Sequence, residues 1–260
     1  MSTLHARIAG VGLWSRGLPD WQAARDFVAT GMLPEGAPNR PSPQLLAANE
    51  RRRAPETVAV ALEVALAACH DAGLEPSSLP SVFACTHGEL AITDYMCQTL
   101  AQDPASLSPT RFHNSVHNAA AGYWTIGAAA HAPATALSAG QWSFAQGLLE
   151  ALTQLTDGTP EVLLVGYDGN AVGALASQSP SSGLLGAALV LGSDGPGIGL
   201  QVQWRQRRAP TPPGPLQTLL ADNASAPMLA LFDALASGAS QLELPAGPNH
   251  SLHIVIDHGQ

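Results

Sequence analysis

The sequence predicts an α/β fold, and three observations carry that prediction. Short apolar runs with strand character alternate along the chain with longer segments of helical periodicity. Small residues are abundant, 25 of them glycine, which lets helices pack closely on both faces of a sheet. Hydrophobic residues make up 46% of the 260 and charged residues 12%, enough apolar surface for a full core. The alternation implies a mixed, mostly parallel five-stranded sheet with helices on both faces. A short C-terminal α/β extension follows, so residues 1–209 are expected to form the main domain and 210–260 an extension packing on the same core.

The elements follow in order. Arg7 to Trp14 reads as a first buried strand. Asp20 starts a short helix through Val28, stopped near Gly31 and Pro34. Residues 34–43 hold four prolines and form a surface loop. Ala54 to Ala72 is the clearest helix, with Pro55 in its first turn and Gly73 as its stop. Val58, Leu62, Ala65, Leu66 and Cys69 form its apolar stripe. Ser81 to Cys85 is a short strand, and Glu89 to Gln102 returns as helix.

Ser108-Pro109 opens a loop, and Asn118 to Ala130 is a helix rich in Ala and Gly. A strand at 133–139 turns tightly into a helix from Trp142 to Leu155, with Phe144, Leu148, Leu152 and Leu155 on one face. Glu161 to Val165 is an apolar strand leading into Gly166-Tyr167-Asp168. Gly186–Gly192 and Ile198–Trp204 read as a hairpin across the turn residues 193–197. A proline-dense linker at 210–215, a helix near Ala226–Ala236 and a strand at Leu252–Asp257 complete the chain.

Charge and cysteine usage exclude several functions. The net charge is −9 and all 11 basic residues are arginines, with no basic stripe for nucleic acid. The clusters Arg51-Arg52-Arg53 and Arg205, Arg207, Arg208 are short and suit local pairing. Cys69, Cys85 and Cys97 lack any Cys-x-x-Cys pairing, so neither a disulfide framework nor a zinc site is expected. Reduced thiols, an acidic balance and the lack of a signal-like or membrane-spanning run suit a cytoplasmic location. His113 and His117 lie four apart, but nothing nearby completes a metal site. No cofactor is expected.

Three segments carry a family resemblance. The first is Ser108-Pro109-Thr110-x-Phe112-x-x-Ser115-Val116-His117-Asn118-Ala119-Ala120-Ala121-Gly122. The second is the corner Thr135-Ala136-Leu137-Ser138-Ala139-Gly140, and the third is Val162 to Asp168. In order and spacing, over roughly residues 5–205, they resemble the N-terminal half of the β-ketoacyl synthases of the thiolase superfamily. The resemblance implies a thiolase-like half-fold and a corner reading Thr-Ala-Cys-x-Ser-Gly, where this chain has Leu137 in place of the nucleophilic cysteine. The family's His-x-Thr-x-Thr motif and lysine are also missing.

The chain looks most like the small chain length factors of aryl-polyene and xanthomonadin-type pigment biosynthesis. That implies a non-catalytic subunit paired with a full-length ketosynthase, meeting acyl carrier protein only through it. By the same resemblance the pair would meet along the strand at 133–139. Phe112, His113, Ser115, Val116 and Asn118 would lie toward the acyl tunnel, and Thr135, Ala136 and Ser138 in the interface. Two alternatives remain: an acyl-transferring or hydrolysing enzyme using Ser138, or Cys85 with His87, and a homodimeric acyl-binding protein. Ser138 otherwise suits the N-cap of the following helix.

Overall fold

The computed structural model describes residues 3–206 and 211–259. Arg207, Arg208 and the first residue of the proline-dense linker lie outside them. The strands are β1 (Leu4–Ser15), β2 (Ser81–Ala84), β3 (Ala134–Leu137), β4 (Glu161–Asp168), β5 (Leu185–Gly192), β6 (Ile198–Gln206), β7 (Gln241–Pro245) and β8 (His250–Asp257). The helices are α1 (Trp21–Thr30), α2 (Ala48–Arg53), α3 (Glu56–Ala72), α4 (Leu90–Gln102), α5 (Pro109–Asn114), α6 (Ala119–Gly127), α7 (Ser143–Thr156), α8 (Pro215–Leu219) and α9 (Leu229–Ser237).

All eight strands join one sheet in the order β3-β2-β4-β5-β1-β6-β8-β7. The five-stranded, mostly parallel sheet is therefore corrected on both counts. Only β2 pairs in parallel, with β3 and β4, and the other neighbours run antiparallel. An apolar run buried on both faces looks the same in either direction, so strand orientation could not be read from it.

The expected hairpin is also corrected. β5 and β6 do not pair with each other; both pair with β1, from opposite edges. The chain crosses β1 where its ladder with β5 is irregular, between Ile8 and Gly10. Gly197 makes this possible. It sits at φ +127°, and a Cβ there would lie 2.2 Å from the Ile8 carbonyl oxygen.

On one face, α3 lies against β1, β5 and β4, joined by α6. Trp124 and Tyr167 both pack their rings on Phe83. The approach of α3 is so close that a Cβ on Gly12 would meet the Val64 carbonyl oxygen at 2.1 Å. Asp20 caps α1 by accepting from the Ala23 amide at 2.8 Å, and left-handed Gly31 and Gly73 end α1 and α3.

The opposite face carries α7, α1, α8 and α9. Phe144 and Trp21 both pack on Phe232, and Leu252, Ile254 and Ile256 of β8 enter the same core. The last fifty residues thus extend the sheet at β6 and cover this face. Two short helices replace expected irregular stretches. The three consecutive arginines 51–53 form the last turn of α2, and α5 stands where a loop was expected after Ser108. Ser108 caps α5 at the Arg111 amide, with Pro109 in the first turn.

Candidate functional site: the β3 edge and the turn beyond it

Among the described residues, β3 lies at the edge of the sheet, paired only with β2. The Ser81 amide donates to the Pro133 carbonyl at 3.0 Å and the Cys85 amide to the Leu137 carbonyl at 3.2 Å. Odd-numbered residues of β3 therefore turn their backbone groups to β2. Ala134 and Ala136 present theirs at the free edge, where another strand could add.

Leu137 ends β3, half-buried against the core under α7. It borders a surface cleft of about 430 Å³ with Ser138, Ala139, Leu149 and Glu150. α7 begins at Ser143 with Trp142 at its N-cap, within one residue of the expected start. Ser138 does not cap that helix. Its hydroxyl donates to the Thr86 carbonyl at 2.9 Å. Ser143 holds the turn instead, accepting from the Ala139 amide at 2.9 Å and donating to the Gly140 carbonyl at 2.6 Å.

The second group of candidates lies on α5 and the turn into α6. Phe112 is 62% exposed and Val116 43% exposed. Leu100 and Ile126 are likewise exposed within this stretch of the chain. His113 packs edge-on against the Tyr123 ring, and the Ser115 hydroxyl donates to the Phe112 carbonyl at 2.8 Å. Asn118 is exposed, while Thr135 and Ala136 are half-buried on β3. His117 fastens the turn to the sheet, its Nε2 3.1 Å from the Cys85 carbonyl. His113 and His117 thus have different jobs. Among the described residues no three His, Cys, Asp or Glu side chains are grouped to hold a metal ion.

Behind the corner lies a polar knot that sequence reasoning passed over. Asp168, fully buried at the end of β4, accepts from the Thr86 amide at 3.0 Å, the His87 amide at 3.2 Å, the Ser225 hydroxyl at 2.7 Å and the Cys85 thiol at 3.1 Å. Burial pushes its carboxyl up, but the bonds from His87, Ser225, Cys85 and Thr86 outweigh burial and hold it below the usual carboxylate range. Burial, then the Asp168 charge, pushes the Cys85 thiol well above its ordinary value. Cys85 is therefore a neutral, enclosed thiol, which argues against the reading in which it attacks. The only sequence signal for Asp168 was its place at a strand end beside glycines.

The β-ketoacyl synthase N-terminal domain family matches residues 21–250 of the chain. Comparison with the curated proteins finds no match. Among solved structures, the chain is similar to one of a ketosynthase (ApeO) in complex with its chain length factor (ApeC) from Xenorhabdus doucetiae. That match has a TM-score of 0.76 at 24% identity over 97% of this chain and 99% of that one. The ishigamide ketosynthase/chain length factor matches with a TM-score of 0.78 at 14% identity, over 99% of this chain and 100% of that one. A type II polyketide acyl carrier protein in complex with its ketosynthase, AntDE:AntF, matches at 0.74 with 12% identity over 99% and 100%. At such identities these neighbours establish the thiolase-like fold. With nearly nine-tenths of its length inside the family model, the chain belongs to the β-ketoacyl synthase N-terminal domain family.

Proposed function

We propose that this chain is a chain-length-factor-like subunit that condenses nothing itself. It pairs with a full-length ketosynthase and shapes the tunnel that receives the growing acyl chain. The observation that carries this reading is Leu137. An aliphatic side chain stands at the end of β3, where the resemblance places the nucleophilic cysteine. A methyl-terminated group can neither take up an acyl chain nor be activated by a base.

The free β3 edge supplies the pairing surface. Backbone groups of Ala134 and Ala136 are available there, and Leu137 seals the corner beneath. Phe112, His113 and Val116 would meet the far end of the acyl chain, with Ser115 and Asn118 beside them. The acyl chain would be a polyene of the aryl-polyene type, delivered by acyl carrier protein bound to the ketosynthase. Both proteins would work in the cytoplasm. Among the described residues no helix is long and apolar enough to cross a membrane.

Reconstitution tests the reading. Ketosynthase, carrier protein and extender units are combined with and without this chain, and the products are measured by mass spectrometry. Condensation should require the chain. Phe112→Ala should lengthen the product distribution by at least one extension unit. Full activity of the ketosynthase without the chain overturns the reading.

A further inference from the structure

A second cleft, of about 500 Å³, opens on the other side of the corner, between Thr86, Gly140, Trp142, Ser179 and Asn223. Ser179 reaches it from the loop between β4 and β5. Its Oγ lies 2.7 Å from His87 Nε2. On the far side of the same imidazole, Nδ1 lies 3.6 Å from Asp168 Oδ1. The His87 side chain is 9% exposed and Asp168 is fully enclosed. The geometry points to Ser179, His87 and Asp168 as a nucleophile, base and positioning carboxylate for cleaving an acyl ester or thioester.

A hydroxyl bonded to an imidazole could merely tie down a loop. Two further observations give this pair chemical polarity. First, a buried negative charge faces Nδ1. It favours the tautomer with the proton on Nδ1, leaving the Nε2 lone pair to accept from Ser179. The 3.6 Å approach is electrostatic rather than a hydrogen bond, and such contacts are often longer without substrate. Second, the serine lines an open cleft, while the carboxylate lies behind the imidazole and away from water. This is the arrangement of roles in serine hydrolases, reached without a Gly-x-Ser-x-Gly turn.

The step balances with water as the only co-reactant. Ser179 Oγ bonds to the acyl carbonyl carbon while its proton passes to His87 Nε2. The tetrahedral intermediate collapses, the carbon–sulfur or carbon–oxygen bond breaks, and the leaving group takes the proton from His87. Water, deprotonated by the same nitrogen, then attacks the acyl-serine. The carboxylic acid leaves and Ser179 regains its proton. Such an activity would release an acyl chain rather than extend one, and it is independent of pairing through β3.

The test uses the full chain with p-nitrophenyl butyrate as substrate and a biotinylated fluorophosphonate as covalent probe. Saturable release of p-nitrophenolate is expected, with the phosphonyl adduct mapped to Ser179. Ser179→Ala and His87→Gln should each lower the rate at least 100-fold. Ser177→Ala, two residues away, should not. Ser179→Cys, folded by circular dichroism, should gain an iodoacetamide adduct that maps to position 179, beyond the one that exposed Cys97 gives in every variant. Nitrogen-15 NMR should place the His87 proton on Nδ1. No release, an adduct at another residue, full rate in Ser179→Ala, or a proton on Nε2 overturns the proposal.

Discussion

Ser225 donates its hydroxyl to the Asp168 carboxylate across 2.7 Å, binding the segment before α9 to the end of β4. The same carboxylate holds the backbone of Thr86 and His87. One buried charge thus joins the C-terminal segment, the central sheet and the turn after β2. Asp168→Asn would set an amide N–H₂ against groups that already donate. It should destabilise the fold by about 3 kcal/mol, read from urea denaturation at neutral pH.

The same charge gives a pH signature. A carboxyl held below its unfolded range contributes stability that is full above the ordinary carboxylate pKa. That contribution is lost as pH falls through the lower folded value. The gap in unfolding free energy between wild type and Asp168→Asn should therefore narrow as the pH is taken from 7 toward 2. Burial pushes Glu63 and Asp233 up, in the opposite sense, but both are common to the two proteins and cancel in the difference.

Gly12→Ala tests the seating of α3 on β1. Its Cβ would lie 2.1 Å from the Val64 carbonyl oxygen, which is backbone and cannot swing aside. The variant should lose about 3 kcal/mol or fail to accumulate as folded protein, measured by thermal melting.

Leu137→Cys puts a thiol at the corner. Condensation also needs groups to stabilise the enolate formed from the extender unit, and the family's histidine motif is missing from this chain. Carbon–carbon bond formation from acyl- and malonyl-carrier protein, followed by mass spectrometry, should stay at the level of the wild-type chain.

Much of the layered fold was legible in the residues themselves. Asp20 and Gly31 announced α1, Gly73 announced the end of α3, and the period of Phe144, Leu148, Leu152 and Leu155 announced α7. Each of those signals is local, a cap or a stripe written within a few turns. Strand partnership is not local. Nothing near Gly197 reveals that the chain crosses β1 there, because the reason lies about 190 residues away in the Ile8 carbonyl. The corner around Leu137 drew notice through its flanking small residues, and its reading as a lost nucleophile rests on the resemblance. The grouping of His87, Asp168, Ser179 and Ser225 could not, since no spacing links four residues from four different loops and strand ends. Ser138 was misread as a helix cap because its hydroxyl bonds the Thr86 carbonyl, a partner 52 residues away that no local spacing reveals.

Co-expression with a full-length ketosynthase tests the proposed pairing through β3 most directly. Size-exclusion chromatography of the purified material should give one peak holding both polypeptides in equal amounts. Ala136→Pro, which removes an outward amide without taking a bond from the β2 ladder, should split that peak in two. Separate elution of the wild-type chain and the ketosynthase would contradict the account.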